Sequence, residues 1–318
     1  MINIILHIGR HKTGTSTLQK YLYSFPNELR KHGYEYFEVI KKGYGHHHIA
    51  EPLAKGVLKN TVDSNLLVER IAGELESYLE WSCDKTYIIS SEAFQNTDPK
   101  VIRQLFPQNK YNVKVVVYFR EQADYLASSY AQKVHASLYT GTIYDYYKRG
   151  FDVDYLKFIN AWDHCFGKIS VRFFDKKLLI QSDIVDDFTN SVLGFSSEID
   201  KANLNDNNPS LGQKYVALKL KINKLINDNK VDKKLITGKQ YKELGQRSQR
   251  ENDNSYALPK SLLDKVRSDS EAINKKLFEL YCPGYEFSLK EHVFREVVAS
   301  EEEALYTLEE ISKVDNIV

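Results

Sequence analysis

Apolar residues open the chain in a run, Ile2, Ile4, Ile5, Leu6 and Ile8, dominated by β-branched side chains. Such a run predicts a strand over Asn3–Ile8 that is buried on both faces. After a polar turn, Leu18, Tyr21 and Leu22 return at helical spacing and predict a helix over Thr15–Tyr23. The alternation continues. Strands are expected at Tyr34–Val39, Thr86–Ser90, Val113–Phe119 and Ile169–Phe174, with helices around Ile49–Lys59, Ser64–Trp81, Pro99–Phe106, Glu121–His135, Thr142–Arg149 and Tyr155–His164. This order reads as an α/β protein with a parallel central sheet flanked by helices, followed over 205–318 by a largely helical C-terminal part. Residues 238–259, rich in Gln, Asn, Ser and charge, read as a mobile loop. No linker-like stretch and no repeat of fixed period divides the chain, so a single domain over 1–318 is expected, with its α/β core in 1–200.

The turn between the first strand and helix is HIGRHKTGTST, His7 to Thr17. A strand–loop–helix turn presents the first N–H groups of a helix, which have no intrahelical partner, and with the helix dipole they suit phosphate or sulfate. Gly9 and Gly14 allow close backbone approach and positive φ. In the nucleotide loop G-x-x-x-x-G-K-[ST] the lysine directly follows the second glycine. Here Thr15 takes that place, and Lys12 stands two residues before Gly14. The spacing fits an ATP or GTP loop poorly. A plain glycine turn between packed elements is the competing reading.

A second signal lies in VVVYFREQADYLASSYAQ. Val115–Phe119 is a continuous apolar run, as a doubly buried parallel strand requires, and Arg120 stands at its carboxyl end. Ser128 follows eight residues later, about two turns into the next helix. Taken alone, such an arginine is usually a solvated charge and such a serine is usually indifferent.

The order K-T-G-T-S-T, with Arg120 and Ser128 downstream, resembles the sulfotransferases that use 3′-phosphoadenosine 5′-phosphosulfate (PAPS), in particular their soluble bacterial branch. The looser matches YIISSEAF, VRFFDKKLL, DDFTNSVLGF and NNPSLGQKYVALKLKIN extend that resemblance over much of the chain. It implies a P-loop-like sulfotransferase fold, PAPS as cosubstrate, 3′,5′-ADP as product and no metal. It also implies binding of the 5′-phosphosulfate by Gly9, Arg10, Lys12, Thr13, Gly14, Thr15, Ser16 and Thr17, with Lys12 catalytic at the bridging oxygen. Arg120 and Ser128 would clamp the 3′-phosphate. The acceptor is expected to be a hydroxyl, foremost on a carbohydrate such as a capsule or exopolysaccharide.

The acceptor also needs a base. Glu92, after the strand in IISSEAF, occupies a position similar to the catalytic glutamate of heparan-type relatives; otherwise it is a carboxylate favoured at a helix start. His46, His47 and His48 are the other candidates, with His47 or His48 ranked second to Glu92, unless they simply form a surface loop. Two further function classes stay open: a P-loop-type small-molecule kinase, and a non-catalytic PAPS-binding protein.

Composition narrows the setting. Hydrophobic content is 42%, no apolar run approaches the ~18 residues of a membrane span, and the first strand begins at Ile2. No signal peptide and a cytoplasmic location are therefore expected. Cys83, Cys165 and Cys282 lack metal-ligand spacing and read as reduced thiols. A net charge of +1 hides eleven Lys/Arg against three Asp/Glu over 209–250, and eight acids against two bases over 291–318. The basic stretch suits an anionic partner or a solvated helix face. No nucleic-acid motif accompanies it, so nucleic acid is not an expected partner. The sequence carries no signal for an oligomeric state.

Overall fold

The computed structural model describes residues 1–59, 63–79, 84–201, 204 and 210–313. Its strands are β1 (Ile2–His7), β2 (Tyr34–Tyr36), β3 (Thr86–Ser90), β4 (Tyr111–Phe119) and β5 (Ser170–Phe173). They form one sheet in the order β2-β3-β1-β4-β5, and every pairing is parallel. The helices, in chain order, begin with α1 (Thr15–Ser24), α2 (Pro26–Lys31), α3 (His47–Lys59), α4 (Asp63–Tyr78) and α5 (Pro99–Leu105). Then come α6 (Gln122–Ala136), α7 (Ile143–Lys148), α8 (Tyr155–Phe166), α9 (Ile184–Phe188) and α10 (Gln213–Asn227). The last are α11 (Gly238–Arg250), α12 (Lys260–Tyr281) and α13 (Glu301–Ser312). Among the described residues, no helix is long and apolar enough to cross a membrane.

The chain forms two compact units. The first comprises 1–120, 154–205 and 275–288 and contains the whole sheet. Side chains alternate across β1 with period two. Ile2, Ile4 and Leu6 pack with Ile49, Leu53, Ile71, Leu75, Ile102 and Trp162 of α3, α4, α5 and α8. Ile5, on the other face, packs with Leu18, Tyr21 and Leu22 of α1 and Val185 and Phe188 of α9. Helices on both faces explain why the central strands carry apolar runs, Ile4–Leu6 in β1, Ile88–Ile89 in β3 and Val115–Phe119 in β4. Leu277, Phe278 and Phe287 complete the first of these cores.

The second unit comprises 121–153, 206–274 and 289–318 and has a core of its own. There Ala123, Leu126, Ala127 and Tyr130 of α6 pack with Tyr215, Leu218 and Ile222 of α10 and with Leu308 and Ile311 of α13. In the 238–259 segment the chain forms a helix, α11, rather than a loop up to Arg250. Its inner face is largely polar, with Gln240, Glu243 and Ser248 buried beside Leu244. Apolar periodicity therefore fails to mark it. Within the acidic stretch, Glu301–Ser312 forms α13, started by a capping box in which Ser300 Oγ accepts from Glu303 N and Glu303 Oε2 accepts from Ser300 N. β2 ends at Tyr36, three residues earlier than its apolar pattern suggests, and at Ile40 the backbone turns through φ +56°. The asparagines of NNPSLGQ and Cys83 lie outside the described residues.

Candidate functional site

Three neighbouring strands, β3, β1 and β4, deliver their next residues to one edge of the sheet, the carboxyl edge where ligands bind in open α/β folds. His7 of β1 is paired with Ser90 of β3 and Val116 of β4. Beyond them follow the 9–14 loop, Ser91–Glu92 and Arg120. Backbone pairing runs past the end of β1, since Tyr118 N donates to Gly9 O at 2.8 Å and Arg10 N to Tyr118 O at 3.2 Å.

The loop is locked from within. Thr13 Oγ1 and Thr15 Oγ1 both donate to the Arg10 carbonyl, at 2.7 and 3.0 Å, and both side chains are buried. Lys12, half-buried, is left-handed at φ +61°. Arg120 Nη1 donates to the Lys12 carbonyl at 3.3 Å, so the second sequence motif reaches the tip of the first. Gly14, at φ +73°, precedes α1; a Cβ there would lie 2.7 Å from Phe174 Cε2. Among the described residues, no side chain caps α1, and no acid occupies its first turn. Its first N–H groups thus keep their affinity for an anion. Ser16 is exposed and Thr17 half-buried. Arg10 turns elsewhere: its Nε donates to Gln95 Oε1 at 2.9 Å, and its guanidinium lies 5.0 Å from the Tyr155 ring and 5.4 Å from that of Phe158.

Glu92 opens the short 3₁₀ helix Glu92–Asn96, whose cap is Ser91. A side chain at Gly9, φ +99°, would come within 2.9 Å of Glu92 Cα and Cβ, so glycine lets the loop lie against this residue. Gln19 of α1 donates from Nε2 to Glu92 Oε2 at 3.2 Å and to Ser90 Oγ at 3.2 Å. His47 Nδ1 lies 3.9 Å from the same Glu92 oxygen and 2.9 Å from Ser91 Oγ. The other oxygen, Oε1, faces His11 Nδ1 at 3.8 Å. One carboxylate oxygen is thereby held by a donor, while its twin faces the ring of His11.

The remaining histidines separate by burial. His46 is enclosed: Ser90 N donates to its Nδ1 at 3.0 Å, which places the ring hydrogen on Nε2, 2.6 Å from the Phe37 carbonyl. Burial pulls its pKa down to about 4, so it is a neutral strut between β3 and the chain after β2. His7 is likewise enclosed, its Nδ1 2.8 Å from Ser90 Oγ, and burial outweighs the attraction of Glu92 to bring its pKa to about 4. His48 is exposed and makes no ion pair or hydrogen bond with Glu92; it lines a cleft of about 720 Å³ with Ile40, Pro52, Arg70 and Tyr78. His11 is half-exposed, and burial lowers its pKa with Glu92 opposing.

Within the first unit the structure therefore brings together Gly9, Lys12, Thr13, Gly14, Thr15, Glu92, His47 and Arg120. Ser128 lies half-buried on α6, in the second unit. Gln19, Ser90, Ser91 and His11 complete the constellation without having been singled out in the sequence. A separate cluster in the second unit, Glu121, Asp124 and His292, holds potential metal-ligand atoms within 4.8 Å of one another. Those atoms are engaged: Glu121 with Asp124 N and Arg267, Asp124 with His292 Nε2 and Lys290, and His292 Nδ1 with Leu258 N. No protein-family model and no curated protein matches this chain.

Proposed function

We propose that the protein is a PAPS-dependent sulfotransferase acting on an acceptor hydroxyl, foremost one on a carbohydrate. The observation that carries this reading is the pairing of the Gly9–Thr17 loop with Arg120, which meets the Lys12 carbonyl beside an uncapped helix start. PAPS supplies a sulfuryl group attached to a phosphate leaving group. The Lys12 ammonium offsets charge that builds on the leaving oxygen, and the amides opening α1 hold the 5′-phosphate. Glu92 Oε1 takes the acceptor proton while Gln19 holds Oε2. His47, tied to Ser91, acts as its neighbour rather than as the base.

Small-molecule kinase chemistry is the second reading. It asks for a lysine at position 15, where Thr15 instead donates into its own loop. Calorimetric titration with 3′,5′-ADP, 5′-AMP and ATP, with and without magnesium, separates the two. Tight binding of 3′,5′-ADP without magnesium and in preference to 5′-AMP is expected; equal affinity for 3′,5′-ADP and 5′-AMP would refute the sulfotransferase reading. In the same assay Arg120→Ala should weaken 3′,5′-ADP by about 1.5–3 kcal/mol, the cost of a charge-assisted contact. Glu92→Gln distinguishes an enzyme from a non-catalytic binder. It should keep nucleotide affinity and lower PAPS turnover about 10²- to 10⁴-fold, the span of general-base catalysis.

A further inference from the structure

We infer that His11 is a further binding residue of this site, taking up a proton when an anion occupies the 9–17 loop and placing that charge between the loop and Glu92. The inference rests on the loop being an anion site, and it holds for any phosphate-bearing ligand.

The geometry separates His11 from every other histidine near the carboxyl edge. His7 and His46 are enclosed and held by Ser90. His47 is held by Ser91, and a Cβ at Gly45 would sit 2.7 Å from its Nε2, so that ring is packed on its far side as well. His11 has a side chain 43% exposed and, among the described residues, no hydrogen bond to its ring. Its Nδ1 stands 3.8 Å from Glu92 Oε1, too far for a hydrogen bond and close enough for a strong charge interaction. It directly precedes Lys12 in the chain, inside the loop that meets the ligand.

The charged groups acting on the ring are Glu92, from the chain after β3, His47, from the start of α3, and Arg10 and Lys12 on its own loop. Burial, the largest influence, disfavours the protonated ring; Glu92 favours it, while the two cations and His47 add to the opposition. An anion at the loop offsets the two cations and leaves Glu92 in place. The ring's proton affinity must then be higher in the complex than in the free protein. By linkage, binding draws a proton from solvent in the pH window between the free value, below 6.5, and the bound one. Affinity strengthens as pH falls through that window. The phosphates of a ligand also titrate near pH 6, so the contribution of His11 is the difference between wild type and variant.

The test is calorimetry at pH 6.5 in buffers of different ionisation enthalpy, with 3′,5′-ADP and with inorganic pyrophosphate as probes, on wild type, His11→Asn and His11→Lys. Wild type should take up a larger fraction of a proton than either variant, with each probe. Between pH 6 and 8 its affinity should fall up to about tenfold more than that of His11→Asn, through proton linkage at this ring. His11→Lys, charged throughout, should bind more tightly than His11→Asn above pH 7. Equal proton uptake in wild type and His11→Asn overturns the inference, as does failure of both probes to bind. If proton uptake through His11 accompanies pyrophosphate binding while 3′,5′-ADP gains nothing over 5′-AMP, the role of His11 stands and the sulfotransferase reading falls.

Discussion

Two histidines of the first unit tie its stability to pH. His7 and His46 are neutral in the fold, with pKa values brought to about 4 by burial, while in an unfolded chain each titrates near 6.5. Between those values the unfolded chain binds more protons than the folded one, so stability rises with pH across the window and levels off above it. Acidification from pH 6.5 towards 4 should therefore cost about 1.4 kcal/mol per pH unit for each histidine. Urea unfolding at half-unit pH steps measures this; a flat profile through the window would contradict the neutral assignment. Residues differ in how visible they are before folding. The meeting of Lys12 and Arg120 is legible because each belongs to a short motif at the end of an apolar run. Gln19 is not: on its own helix it is one more residue beside Leu18 and Tyr21. It acquires a role only because Ser90 and Glu92 arrive from 71 and 73 positions away. His11 is hidden for the same reason, its meaning set by the approach of Glu92.

Elements of the first unit are joined by one buried carboxylate. Asp187 of α9 accepts from Tyr118 Oη of β4 at 2.8 Å and from Arg172 Nε of β5 at 3.0 Å, and Arg172 Nη2 adds a second, short contact. With its side chain 1% exposed, Asp187 is a buried partner on which an arginine and a phenol both depend. Asp187→Ala leaves Arg172 without its counter-charge and is expected to cost about 3–5 kcal/mol, whereas Asp187→Asn, which still accepts from Tyr118, should cost less. Denaturant midpoints compare the two variants, and equal losses would show that charge is irrelevant here. The central strands were the most legible elements because burial on both faces favours apolar runs, as at Val115–Phe119. α11 was hidden because Gln240, Glu243 and Ser248 fill its inner face, with Glu243 satisfied by Arg247 and Arg250. A helix whose buried side is polar leaves no apolar period to read.

For the whole molecule, the two units are interleaved along the chain, and neither is a contiguous piece of it. The sequence contains no trace of this: residues 275–288 fall within the largely helical C-terminal part expected over 205–318, while Phe278 and Phe287 in fact pack on Phe173 of β5, at ring distances of 4.4 and 5.5 Å. A chain ended after residue 205 loses both rings. Removal of one buried phenylalanine costs about 3–5 kcal/mol, against a total stability of about 5–15 kcal/mol for a domain. The 1–205 fragment should consequently fail to fold, and full-length Phe278→Ala should unfold at markedly lower denaturant. Circular dichroism of the fragment decides: a cooperative melt like that of the intact chain would disprove the dependence.

The two threonine hydroxyls that converge on the Arg10 carbonyl have a kinetic corollary. They fasten the loop to itself across its own width. Preorganisation of this kind spares the complex the entropy of ordering a floppy segment. If the loop takes the polyanion proposed above, capture is governed by encounter rather than by rearrangement, and such encounter quickens as ionic strength falls.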